Sequence, residues 1–97
     1  MSILHTVNTS PFQTYALQQC LSLLNNQDSL LLIEDAVIAS QAKHPLFVEL
    51  SELAEQGRLK VLTPDLQARG IDNLIGEKCS YGDFVSLIAE HKSQMAW

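Results

Sequence analysis

The sequence predicts an α/β fold, a small three-layer α/β/α domain with a mostly parallel, doubly wound sheet. Three observations lead there. Strand-like and helix-like segments alternate as β-α-β-α-β-α-(β)-α. The run Leu30-Leu31-Leu32-Ile33 is apolar without polar alternation, the pattern of a strand covered on both faces. Ser10-Pro11 and Thr63-Pro64 each pair a helix-capping hydroxyl with a proline suited to the first helical turn. At 97 residues there is room for one core, so residues 1–97 are expected to form a single domain.

Ile3-Leu4-His5-Thr6-Val7, β-branched at two positions and followed by polar Asn8-Thr9, suits a first strand. A helix is expected to open at Ser10-Pro11, with Ala16, Leu17, Cys20, Leu21 and Leu24 as its buried stripe. Ser29 to Ile33 reads as the central parallel strand, ending abruptly in Glu34-Asp35. His44-Pro45 begins a second helix with Leu46, Phe47, Leu50 and Leu53 on one side and Gly57 as its stop. Leu59 to Leu62 is the third strand, and Leu66 to Gly70 a short glycine-closed helix. Residues 71–76 read as a loop, Glu77-Lys78-Cys79 as a short strand. Ser80 and Asp83 resemble a capping box in front of a last helix that runs to about His91 or Lys92. A tryptophan at position 97 is costly to leave in water, so the stretch Ser93 to Trp97 is expected to dock on this chain or on a neighbour.

Composition narrows the function. A net charge of −5, with six Lys and Arg scattered between Lys43 and Lys92, argues against direct nucleic-acid binding, which needs clustered cations. The longest apolar run is strand-sized and cannot span a bilayer. Two cysteines and a start without a basic stretch and long apolar run point to the cytoplasm. A hydrophobic share of 46% is high for so small a body and implies that some surface faces a partner.

Few residues carry candidate chemistry. Cys20 falls late in its helix among apolar neighbours, where the helix dipole disfavours a thiolate, so local physics reads it as a core thiol. Cys79 precedes a helix N-terminus beside Lys78, a setting that lowers a thiol pKa, although a half-buried strand residue is the stronger reading. Glu34 and Asp35 stand at the carboxyl end of a parallel strand, the edge that builds ligand sites, and capping or interface contacts suit them better than acid-base work. His5, His44 and His91 read as a satisfied sheet histidine, a helix-start residue and a helix C-terminal residue. There is no zinc spacing, no glycine-rich phosphate loop and no Gly-x-Ser-x-Gly elbow, so no cofactor or metal is expected.

Several stretches together resemble the TusB/DsrH family. Leu4-His5-Thr6-Val7 with Ser10-Pro11, and Leu30 to Val37, are similar to its two opening signatures. Asp65-Leu66-Gln67-Ala68-Arg69-Gly70 resembles its Asp-Leu-x-Ala-Arg-Gly segment, and Tyr81 to Val85 with Ser93-Gln94-Met95-Ala96-Trp97 its closing helix and tail. The resemblance implies a DsrE/DsrF-like, flavodoxin-like fold and a sulfur-relay subunit. That subunit would join TusC and TusD, or DsrF and DsrE, in a hexamer of two copies each. In the TusB branch the assembly passes persulfide sulfur from a TusA-like donor to a TusE-like acceptor (DsrC-like in the other branch) for 2-thiouridine at the tRNA wobble position; in the DsrH branch the relay serves sulfur oxidation. The main persulfide cysteine belongs to a sibling, which leaves this chain an interaction role with Glu34, Asp35 and Trp97 as interface candidates. Cys20 matches a cysteine of the DsrH branch and is the one candidate auxiliary carrier, while the tail is more like TusB; the rival reading is a stand-alone small α/β binding domain, related by fold and unrelated by function.

Overall fold

A computed structural model describes residues 2–41 and 44–97; Met1, Ala42 and Lys43, one of the scattered cations, lie outside the described residues. Five strands form one sheet: β1 (Ile3–Val7), β2 (Ser29–Leu32), β3 (Leu59–Leu62), β4 (Glu77–Cys79) and β5 (Ser93–Ala96). Their order is β4-β3-β2-β1-β5, and every neighbouring pair is parallel. The helices are α1 (Ala16–Leu23), α2 (Phe47–Glu55), α3 (Thr63–Ala68) and α4 (Tyr81–Glu90), with a 3-10 segment over Glu34–Ser40.

The unalternating apolar strand at 29–32 is central, as its composition predicts. Leu30, Leu31 and Leu32 are all fully buried because both faces of β2 are covered. One face gathers Val7, Leu30, Leu32, Leu59 and Val61 against Leu17 and Cys20 of α1, Leu50 and Leu53 of α2, and Leu66 of α3. The opposite face holds a smaller cluster of Leu4, Leu31, Leu62 and Cys79, packed by Phe84 and Leu87 of α4. The layers are therefore unequal. Among the described residues, α4 contributes no fully buried side chain despite Phe84, Val85, Leu87 and Ile88.

Several elements differ from the sequence reading, among them the short helix expected over Leu66 to Gly70, which runs from Thr63 to Ala68 because Pro64 sits in its first turn. The first helix begins at Ala16, since residues 10–14 form a turn in which the Ser10 hydroxyl accepts from the N–H of Phe12. The loop after β2 is wound into the 3-10 segment, and the second helix starts at Phe47 instead of His44. The stretch 93–96 is a strand: β5 adds beside β1 with Leu4 opposite Gln94 and His5 opposite Met95. A short, fully exposed edge strand has no buried alternating face, so its pattern carries little signal. The Ser80–Asp83 capping box forms as expected, with the Ser80 hydroxyl and the Asp83 carboxylate each accepting the other's backbone N–H at 3.0 Å.

Gly76 sets up β4. Its φ of +89° is a left-handed conformation, and a Cβ there would lie 2.8 Å from Cγ2 of Val61. Only glycine lets the loop approach β3 this closely before β4 pairs with it.

Candidate functional site

At the carboxyl ends of β2 and β3, the edge where such sheets build sites, a polar cluster forms from Glu34, Asp35, Asp65 and Arg69. Glu34 leaves β2 with φ +50°, a left-handed backbone that a glutamate rarely adopts. The turn is held by its N–H donating to Asp65 Oδ2 at 2.7 Å. It aims Asp35 at Arg69, whose Nε and Nη2 donate to the same carboxylate oxygen at 3.1 and 2.8 Å. Arg69 Nη1 also donates to the carbonyl of Asp65 at 3.2 Å. A shallow cleft of about 500 Å³, lined by Ser10, Gln13, Asp35, Ile38, Arg69 and Ile71, lies beside this cluster. Arg69 already has its carboxylate partner, so the cluster fixes the shape of an exposed edge.

Cys20 is elsewhere. Its side chain is fully buried in the larger core cluster. Burial, and then the Asp28 carboxylate, push the thiol up to about 12. At neutral pH the thiolate share is on the order of one in 100,000. Cys79 is also buried, at the end of β4, its thiol donating weakly to the carbonyl of Ser80 at 3.4 Å. Its pKa is raised by burial first and by Asp83 next, and the nearby Lys60 only partly offsets this. The helix N-terminus beside Cys79 favours a thiolate in principle, yet Asp83 occupies that position in the capping box.

Trp97 lies against β1. Its indole Nε1 donates to Nδ1 of His5 at 3.0 Å, and Nε2 of the same imidazole meets Asp28 Oδ2 at 2.9 Å. Asp28 also accepts from the N–H groups of Ile3 and Asn25 at 3.0 and 3.1 Å. Burial alone would raise this carboxyl; the hydrogen bonds from His5, Asn25 and Ile3 outweigh it and hold the pKa below its ordinary value. Asp28 has no role assigned to it from the sequence, because His5 and Ile3, which it joins, lie 23 and 25 positions away. His44 is likewise structural, with Nδ1 accepting from the N–H of Leu46 and Nε2 donating to the carbonyl of Ala39. His91 Nδ1 donates to the carbonyl of Leu87 at 2.7 Å.

The structure thus brings Glu34 and Asp35 together with Asp65 and Arg69, and places Cys20 in the larger core cluster, against which Trp97 also packs. Among the described residues no group of three His, Cys, Asp or Glu side chains could hold a metal ion. No described helix is long and apolar enough to cross a membrane.

Residues 9–94 match the family described as DsrH like protein. The chain belongs to that family. TusB/DsrH-type relatives match end to end: Protein TusB of Pectobacterium parmentieri is 37% identical over 98 residues, covering 98% of this chain and 100% of the relative. Protein TusB of Cronobacter sakazakii is 35% identical with the same coverage, and that of Erwinia tasmaniensis is 38% identical over 99 residues. Membership of the TusB/DsrH family supports reading the chain as a sulfur-relay subunit.

Proposed function

We propose that this chain, as one domain spanning 1–97, is a structural and interaction subunit of a cytoplasmic, hetero-oligomeric sulfurtransferase complex. The complex relays persulfide sulfur for 2-thiouridine formation at the wobble position of tRNA. Its partners in this reading are TusC-like and TusD-like siblings, in a hexamer of two copies each. A TusA-like donor and a TusE-like acceptor meet the complex through those siblings, and this chain touches neither RNA nor membrane.

The observation that carries the interaction role is Cys20. Sulfur relay requires a thiolate that reaches a second protein's persulfide and attacks its outer sulfur. A thiol with no exposed surface and a pKa near 12 meets neither requirement. The TusB names of the full-length relatives favour the tRNA branch over sulfur oxidation.

Co-expression with the two siblings, followed by size-exclusion chromatography with light scattering, tests the assembly. A hetero-oligomer several times the chain's own mass is expected, and a monomer that ignores both siblings overturns the proposal. Cys20→Ala in the purified complex tests the role: sulfur transfer is expected to persist, and its loss from an intact complex makes Cys20 a carrier.

A further inference from the structure

The chain Asp28, His5, Trp97 fixes where each proton lies. An indole N–H donates and cannot accept, so Nδ1 of His5, 3.0 Å away, must be the acceptor. The imidazole therefore carries its proton on Nε2 and donates it to Asp28 Oδ2 at 2.9 Å. The two rings are inclined by only 26°, which suits a bond into the in-plane lone pair of Nδ1. A proton added at Nδ1 would set one N–H against another. Docked Trp97 and a doubly protonated His5 are mutually exclusive.

We propose that His5 is an acid-operated latch on strand β5: uptake of one proton at Nδ1 breaks the Trp97 hydrogen bond, keeps the pair with Asp28, and frees β5 from β1. The balance is a single proton, taken from solvent as Trp97 leaves. The pair with Asp28 survives because the imidazolium still donates from Nε2, now to an opposite charge.

The surroundings of His5 decide which bond gives way. From the turn before β2, Asp28 faces Nε2 of His5. From the residue before β3, Arg58 donates through Nε to the backbone carbonyl of Asp28 at 2.8 Å. From α1, Cys20 interacts electrostatically with Asp28 and stays a neutral thiol. The residues in register on either side, Leu30 on β2 and Met95 on β5, carry no charge. The group aimed at Nδ1 is the Trp97 donor, so protonation is resolved at the tail.

β5 is also an edge strand with no buried residue of its own. All four of its residues are exposed, and it pairs on one side with β1. Its ends are tied by Lys92 N–H to the carbonyl of Ser2 at 3.1 Å and by Trp97 N–H to that of Thr6 at 2.9 Å. Edge elements with little buried surface open well before the core does.

The test follows the tail of the full chain between about pH 8 and about pH 5, the range over which histidines commonly charge. Trp97 is the only tryptophan, so its indole N–H resonance reports docking directly. Hydrogen exchange at the amides of Met95 and Trp97 reports β5. Acidification is expected to shift the indole signal to that of a free indole and to lower the protection of those two amides, relative to their intrinsic exchange rate at each pH, about tenfold or more, while β2 and β3 amides stay protected. His5→Gln keeps an acceptor and a donor on one side chain and cannot titrate, so the transition is expected to vanish in it. Trp97→Phe, which lacks the donor, should show low β5 protection that does not change with pH. An indole signal unchanged across the range, loss of β2 and β3 protection together with β5, or the same transition in His5→Gln overturns the latch. So does direct detection of the Nδ1–H tautomer at neutral pH in the parent chain, which needs no variant to fold.

Discussion

Trp97 reaches back 92 positions to donate its indole N–H to His5 at 3.0 Å, and in doing so ties the edge strand β5 to its neighbour β1. That bond turns a tail with little buried surface of its own into the fifth strand. Trp97→Phe keeps most of the ring's apolar contact and removes the donor. A single lost hydrogen bond costs about 1 kcal/mol, which for a domain of this size lowers Tm by about 4–8 °C. Thermal unfolding at neutral pH checks this, and an unchanged Tm would show that the bond contributes nothing net.

Asp28 is the other end of the same chain, and it makes stability depend on pH in a stated direction. Its folded pKa lies below its ordinary value because three hydrogen bonds outweigh its burial. Such a group stabilises the fold fully above its unfolded pKa, and the contribution is lost as pH falls through the folded value. Asp28→Asn is expected to destabilise the chain by about 1–2 kcal/mol at neutral pH and to flatten the acid limb of its stability curve. Urea melts at a series of pH values read both. A parallel curve for the variant would mean that Asp28 titrates alike in the folded and unfolded chain.

Much of this fold is legible in the sequence, because β2 and the α4 capping box announce themselves locally. Leu30 to Leu32 are buried as an unalternating run predicts, and Ser80 and Asp83 are three residues apart, within reach of any window. The structure's surprises are long-range. β5 takes its meaning from β1, and the polar edge joins Glu34 and Asp35 to residues 31 and 34 positions on. Ser10-Pro11 misled for the opposite reason: its local signal for a helix start is used by a turn, and the helix waits for Ala16.

Glu34 holds a left-handed φ of +50° that costs a glutamate about 1–2 kcal/mol and a glycine almost nothing. Glycine adds back about 0.5–1 kcal/mol by loosening the unfolded chain. Glu34→Gly is therefore expected to be neutral to stabilising by about 1 kcal/mol, whereas a β-branched Glu34→Val should destabilise by at least that much. The contrast between the two melts is the measurement. Equal losses in both would mean that the Glu34 side chain itself contributes to stability.

Gly76 should be the least replaceable glycine. An alanine there meets Val61 Cγ2 at 2.8 Å and keeps the strain of φ +89°, so Gly76→Ala is expected to cost about 2 kcal/mol and to loosen β4 ahead of the rest. Hydrogen exchange at the amides of Lys78 and Cys79 checks the location, and chemical melts check the size. Wild-type stability would show that the loop can move away from β3 without cost.

The buried thiols make a further prediction that separates chemistry from packing. Cys20 and Cys79 are both buried, and both pKa values are raised, so neither should react with a thiol reagent at neutral pH until the chain opens. Labelling is then expected to follow the unfolding equilibrium, rising with urea in step with the loss of structure. Cys20→Ala should cost about 1–2 kcal/mol through the lost core volume, and Cys20→Ser more, since its hydroxyl enters an apolar cluster. If Cys20 instead labels within minutes in the native chain, the helix that carries it opens readily, and a carrier role regains the access and ionisation that this buried setting denies it.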